Sequence, residues 1–209
     1  MSQPRRRKSR IRTYSTPIIA GEFKGKRIEI PAVSTTRSSK AILRESLFNT
    51  LQFDLVDKPF VEVFAGSGSV ALEAVSRGAS RAWCMEQNRE VYEVLLANVE
   101  RIAPDRIETI WGDSFREFDR VYRALEATGE RAYFYFDPPF SIREGMEEIY
   151  DRTLELLERI APEQCELAIV EHMTAVDLPE KIGSLELLKK KRFGKSSLSY
   201  YRPVETDEG

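Results

Sequence analysis

From residue 60 onward the chain alternates short apolar runs with amphipathic ones. In order they are "FVEVFAG", "SVALEAVSRG", "RAWCMEQ", "REVYEVLLANVERI", "RIETIWGD", "SFREFDRVYRALEAT", "RAYFYFD", "EGMEEIYDRTLELLERI" and "CELAIVEH". The compact apolar and aromatic runs predict strands. Those between them space their apolar residues by three and four and predict helices, two of them closed by Gly78 and Gly129. This alternation restricts the chain to the α/β class. Right-handed crossovers then give a doubly wound, mostly parallel sheet with its ligand crevice at the carboxyl ends of the strands. After "AVDLPEKIG", the extended runs "SLELLKKKRFG" and "SSLSYYRP" meet near Gly194 and predict a C-terminal antiparallel hairpin.

Upstream the pattern is different. "MSQPRRRKSRIRTYSTP" has no apolar period and is expected to be a basic, flexible arm over residues 1–17. "IIAGEFKGKRIEIP" predicts a small antiparallel unit turning at Gly25. "SSKAILRESLFNTLQF" predicts a serine-capped helix with Ile42, Leu43, Leu47, Phe48 and Leu51 on one face and Lys40 and Arg44 on another. Hairpin and helix form an extension over residues 18–55, and the main domain covers 56–204. At 209 residues this is one well-buried domain with an appendage.

With 42% hydrophobic and 32% charged residues, the chain reads as a globular, cytoplasmic monomer. No apolar run approaches the ~20 residues of a membrane span, and the basic N-terminus lacks the apolar stretch of a signal peptide. Cys84 and Cys165 stand singly inside apolar segments, as reduced core thiols do. With His172 as the one histidine, a protein metal centre is not expected. The net charge of −2 conceals an asymmetry: residues 1–44 hold twelve Lys/Arg and two acids, residues 45–188 fourteen and twenty-nine. Arg5, Arg6, Arg7, Lys8, Arg10 and Arg12 at one end, and Lys191, Arg192 and Lys195 in "KKKRFGK" at the other, are candidate phosphate contacts to nucleic acid. A solvated tail that aids solubility is the alternative for the N-terminal run alone.

"EVFAGSGSVALEA" follows a strand and opens a helix, so Gly66, Gly68 and Ala71 make a G-x-G-x-x-A turn whose backbone can approach a ligand closely. Phe64, Ala65 and Ser67 complete that loop. Glu86, twenty residues after Gly66 and followed by Gln87, ends the second strand, where a carboxylate can accept from ribose hydroxyls. An adenosine-containing cofactor is implied, and a dinucleotide is still allowed. Glu62, four residues before the first glycine, favours a cationic ligand over a pyrophosphate, because like charges repel. S-adenosylmethionine carries an ammonium, a sulfonium and no phosphate. "WGDSF" ends the third strand and places Asp113, with Ser114, to meet an adenine amino group.

The run "YFYFDPPF" ends the fourth strand in Asp137, Pro138, Pro139 and Phe140. Proline fixes φ and donates no backbone hydrogen bond, so the corner is a stiff set of acceptors: the Asp137 carboxylate and the Pro138 carbonyl. Two acceptors suit the two hydrogens of a planar –NH₂. Holding both aims the nitrogen lone pair at a cofactor methyl, while Phe140 offers a face for a base. Adenine and guanine amines satisfy this corner equally. A non-catalytic RNA-binding or ribosome-assembly protein and a nicotinamide dehydrogenase are the other readings; the intact loop and corner speak against the first, Glu62 and the prolines against the second.

These blocks together, "IIAGEFKGKRIEIP", "TRSSKAILRESLFNTL", "VEVFAGSGSVALEAVSRGA", "MEQN", "DPPF" and "KRFGKSSLSYY", resemble the bacterial 16S rRNA guanine-N2 methyltransferases of the RsmD family. The resemblance implies a Rossmann-like, seven-stranded methyltransferase fold and S-adenosylmethionine as methyl donor. It implies as substrate the N2 amine of a guanine in 16S rRNA or in a small-subunit assembly particle. It puts Arg37, Arg44, Glu45 and Asn49 in the block over the active-site mouth and matches Glu171 to a commonly acidic place. Arg37, Lys40, Arg44 and Asn49 are candidate RNA contacts, although Ser39 and Lys40 replace a more usual Thr and Asp. Glu62 stands where the family usually has Asp, one methylene longer with the same charge.

Overall fold

A computed structural model of the chain describes residues 11–32, 37–139 and 148–204, with the backbone alone for 37–39. Strands β3 (Phe60–Glu62), β4 (Ala82–Glu86), β5 (Ile107–Trp111), β6 (Ala132–Phe136) and β7 (Cys165–Met173) are parallel. Then β8 (Lys181–Ile182), β9 (Leu185–Phe193) and β10 (Ser196–Pro203) complete one sheet in the order β5-β4-β3-β6-β7-β10-β9-β8. The chain leaves β3 to build one wing through β4 and β5, then returns to the other side of β3 as β6. That reversal is the topological switch point of a doubly wound sheet, where ligands bind at strand C-termini.

Both faces of the sheet are covered. Alternate residues of β6, AYFYF, therefore serve two cores, and all five are buried. Tyr133 and Tyr135 pack in the layer containing α1 (Arg37–Leu51), α2 (Ser69–Ser76) and α3 (Arg89–Ile102). Phe134 and Phe136 pack opposite, against α4 (Ser114–Thr128) and α5 (Ile149–Glu158). Local chemistry sets the helix ends. Asn88 caps α3 by accepting from the Glu90 and Val91 N–H groups, and Gly129, at φ 65°, closes α4 in the left-handed conformation. Cys84 and Cys165 are buried free thiols, as expected. Among the described residues no helix is long and apolar enough to cross a membrane.

Three expectations change. The sheet has eight strands rather than seven, the additional one being the two-residue β8, too short to leave an apolar pattern. The antiparallel N-terminal unit exists, but its first strand, β1 (Thr13–Pro17), lies in the stretch read as arm and pairs with β2 (Arg27–Pro31). "IIAGEF" is instead the dock: Ile18 is buried, and Ile19 and Ala20 donate their N–H groups to the Glu73 carboxylate at 2.9 and 3.1 Å. Gly21 lies so close to α2 that a Cβ there would stand 1.7 Å from the Ser76 carbonyl oxygen. Finally, α1 buries Leu43, Leu47, Phe48 and Leu51 but leaves Ile42 56% exposed, and Arg44, read as outward, is buried. Arg44 donates to the Pro17 carbonyl at 2.9 Å, fixing the hairpin to the helix.

Glu73 is fully buried and also accepts from Arg77 Nε at 2.8 Å. Glu73→Ala would strand that guanidinium and two backbone donors. It should cost about 3–5 kcal/mol, read as a lower urea midpoint with early proteolysis between residues 18 and 26.

Candidate active site

The crevice at the switch point takes its walls from the loop after β3, the first turns of α1, the ends of β6 and β7, and the N-terminal hairpin through Tyr14, Thr16, Ile30 and Pro31. Lining residues include Glu62, Phe64, Ala65, Gly66 and Ser67 from the loop side, Lys40 and Arg44 from α1, Tyr135 and Asp137 from β6, and Glu171 from β7. Its cavity volume is about 180 Å³, and it opens to solvent.

The glycine loop turns through Gly66 (φ 53°) and Gly68 (φ 74°). A Cβ on Gly68 would meet Leu95 Cδ1 at 2.4 Å, so close packing of the loop on α3 adds a second reason for glycine there. Gly66 donates its N–H to Glu86 Oε2 at 3.1 Å and Asn88 donates to Oε1 at 2.7 Å, which pins Glu86 at the tip of β4. Burial raises the Glu86 carboxyl pKa, partly offset by these donors. Behind the loop Glu62 is 3% exposed and accepts from the Ala71 N–H at 2.9 Å. Burial pushes its carboxyl up to about 8 despite the backbone donors of Ala71 and Val70. A buried carboxyl so held is a receptor for positive charge.

Across the crevice lies a charged network. Lys40 Nζ hydrogen-bonds Asp137 Oδ2 and stands 3.0 Å from Glu171 Oε1. Glu171 is 1% exposed, and its Oε2 accepts from the Tyr135 hydroxyl at 2.6 Å. Burial and the Glu171 charge raise Asp137 to about 6, with Lys40 pulling the other way. Burial alone would lower the Lys40 ammonium, but Asp137 and Glu171 hold its pKa above the ordinary value. Burial first, then Glu171, raises Tyr135 well above a usual phenol.

The structure thus gathers Glu62, Phe64, Ala65, Gly66, Ser67, Lys40, Arg44, Asp137 and Glu171 at one crevice. Gly68, Pro138 and Pro139 adjoin it in sequence without lining it. Ser114 does not face it: its buried hydroxyl donates to the Val63 carbonyl. Asp113 is first a helix cap, accepting from the Phe115 N–H at 3.1 Å. The Gln87 side chain is exposed while its carbonyl accepts from Trp111 Nε1 at 3.2 Å. Arg44 is occupied with the hairpin, which leaves it no exposed face for RNA. Arg12, Asn49, Arg192 and Lys195 are exposed, and Lys191 donates to Thr50 Oγ1 at 2.7 Å, tying β9 to α1. Phe140, Arg5, Arg6, Arg7, Lys8, Arg10 and the Arg37 side chain lie outside the described residues.

Sequence reasoning missed Tyr135 and the bridging position of Lys40. The first had a signal, since residues two apart on a strand share a face and Tyr135 precedes Asp137 by two. The second had none, because the Lys40–Asp137 contact joins residues 97 positions apart.

Residues 16–202 match the family described as Conserved hypothetical protein 95. The chain is 31% identical over 141 residues to Ribosomal RNA small subunit methyltransferase D of Escherichia coli, an alignment covering 68% of this chain and 66% of that relative. The solved structure of yhhF from Escherichia coli superposes with a TM-score of 0.72 at 25% identity, covering 92% of this chain and 100% of the other. An RNA methyltransferase from Salinibacter ruber, solved with S-adenosyl-L-homocysteine, gives 0.53 at 13% identity, covering 84% and 98%, a likeness of fold.

Removing the Lys40 charge leaves Asp137 with burial and Glu171 alone. In Lys40→Met the Asp137 carboxyl should therefore titrate above about 6, by one unit or more for a lost contact ion pair. Carbon-13 NMR of the aspartate carboxyls against pH checks this.

Proposed function

Because the chain belongs to the RsmD family of ribosomal RNA methyltransferases, we propose that it methylates the N2 amine of a guanine in 16S rRNA, using S-adenosylmethionine. The substrate is the rRNA itself or a small-subunit assembly particle in the cytoplasm. The observation that carries this reading is the meeting of Glu62 and Asp137 in one crevice, on opposite sides of the β3–β6 reversal.

The residues present fit the cofactor. Glu62 offers a buried carboxyl for a cation, Glu86 lies pinned beside the loop for a ribose, and the space where a Gly66 Cβ would project is open. When bound, S-adenosylmethionine supplies a methyl on a sulfonium, already activated toward a nitrogen. The protein's part is orientation. Asp137 and the Pro138 carbonyl accept the two amine hydrogens, turning the lone pair out of conjugation with the ring, and the proline-stiffened backbone holds them there. Asp137 accepts as a carboxylate above about 6, so it is ready at neutral pH. Exposed Arg192 and Lys195 on the β9–β10 hairpin, with the basic N-terminal arm, meet the phosphate backbone.

Nucleosides from 16S rRNA, naked or in 30S particles, incubated with labelled donor should contain labelled N2-methylguanosine by mass spectrometry; labelled N6-methyladenosine in its place would overturn the assignment. Asp137→Ala should lower turnover about 10²–10³-fold, the scale of a lost transition-state contact, with cofactor Kd little changed.

Glu62 adds a pH signature. Free, its carboxyl is protonated below about 8; facing a bound cation it ionises, so binding at pH 7 releases a proton and affinity rises with pH until about 8. Calorimetry at pH 7 in buffers of different ionisation enthalpy should detect that proton in the wild type and lose it in Glu62→Gln.

A further inference from the structure

The base-reading side of the crevice holds an acceptor that methyl transfer does not require. Glu171 is nearly inaccessible, its Oε2 is occupied by the Tyr135 hydroxyl, and among the described residues its Oε1 has no hydrogen-bond partner outside the Lys40 ion pair. A buried carboxylate oxygen held by one ion pair alone, and facing a crevice, is open to a ligand's donor. Among the described residues its ion-pair partner is Lys40, whose side chain is 38% exposed.

One nitrogen of Lys40 presents N–H donors to Asp137 and Glu171 together. Two adjacent acceptors so arranged suit a ligand edge bearing two adjacent donors. Guanine has that edge: the N2 amine and the N1–H beside it. Adenine does not, because the ring nitrogen beside its amine carries a lone pair, which a carboxylate repels. We propose that Glu171 is the specificity-determining residue of this site, accepting the N1–H of the target guanine while Asp137 accepts the amine. Lys40 is the placeholder for that edge in the free protein. Its one ammonium lies between the two carboxylates in the free protein; as the base enters it shifts toward the mouth of the crevice while keeping Asp137 Oδ2, so that Asp137 stays ionised and its Oδ1 takes the amine.

This inference rests on the guanine reading above and accounts for it by chemistry that Asp137 and Pro138 alone lack, since those two accept any planar amine. It also gives Tyr135 a task. By donating to Oε2 its hydroxyl fixes the Glu171 carboxyl, so that Oε1 is the oxygen left for the base. In Glu171→Gln the same hydroxyl would select the amide oxygen, turning the –NH₂ into the crevice as a donor.

2-Aminopurine separates the two contacts. It keeps the methyl-accepting amine at C2 but has a lone pair in place of the N1–H. The test uses small subunits reconstituted with 16S rRNA ligated to carry guanine or 2-aminopurine at the nucleotide mapped by mass spectrometry. The wild type should prefer guanine by about 10²-fold in kcat/KM, the scale of a mispaired buried hydrogen-bonding group. Glu171→Gln should narrow that preference at least tenfold, because its –NH₂ can donate to the N1 lone pair. Equal wild-type rates on the two substrates, with N2-methylguanosine still formed, would overturn this inference and leave the proposed function standing. Failure to form any methylguanosine would overturn both. The wild-type comparison needs no variant, so a Glu171→Gln protein that did not fold would not protect the proposal.

Discussion

The pairing of β3 with β6 is the constraint on which the site depends. These strands are consecutive in space but separated in sequence by the whole first wing, and their register sets Glu62 opposite Tyr135. Just beyond, Val63 donates to the Tyr135 carbonyl at 2.9 Å, the last backbone bond before the strands part. Past that bond one chain turns into the glycine loop and the other into the Asp-Pro-Pro corner, and the crevice is the space between them. A one-residue slip would send Glu62 or Asp137 to the opposite face, into a layer packed with Phe118, Phe134 and Phe136. The apolar cost of misplacing a carboxylate there therefore protects the geometry of the site.

The N-terminal extension is a structural part of that site. Asn98, on α3, accepts from the Glu29 N–H at 2.9 Å and donates to the Glu29 carbonyl at 2.8 Å, as a strand neighbour would. The same Nδ2 reaches the Ser67 carbonyl at 3.1 Å. One buried amide thus connects the hairpin to the glycine loop. Glu73 and Arg44 complete the attachment from α2 and α1, and α1 in turn delivers Lys40 to the far wall. Hairpin, helix and loop are mutually braced, so cutting the chain near residue 55 would remove one side of the crevice.

What the sequence made legible follows from the range of each interaction. Helices α3 and α4 stand where expected, because capping by Asn88 and Asp113 and closure by Gly129 involve residues only a few positions apart. The parallel sheet and the C-terminal hairpin follow from apolar periodicity in the same way. Legibility fails where a residue's partner is remote. Arg44 carries the same charge whether it meets RNA or the Pro17 carbonyl. "IIAGEF" has the apolar content of a strand, but Glu73, more than fifty residues on, takes its N–H groups. Asp113 and Ser114 illustrate a further ambiguity, since a polar residue at a strand end serves a helix cap or a ligand with equal local fitness.

The crevice also has to solve an electrostatic problem before any ligand arrives. Glu62, Asp137 and Glu171 converge there, and burial raises the first two, with the Glu171 charge adding to the rise at Asp137. Two different answers coexist. Glu62 makes no ion pair among the described residues, the buried Arg44 guanidinium acting on it only from a distance, and burial holds it in its neutral form near pH 7. Asp137 and Glu171 instead share the ammonium of Lys40, which keeps an acceptor pair in place without dehydrating an unpaired charge. The first answer suits a group that gains its charge when a cation arrives. The second suits a pair that must already be acceptors when a neutral base arrives, because a protonated carboxyl would present a donor to the amine it has to hold. The two halves of the crevice therefore hold their carboxylates by different means, burial on one side and a shared ammonium on the other.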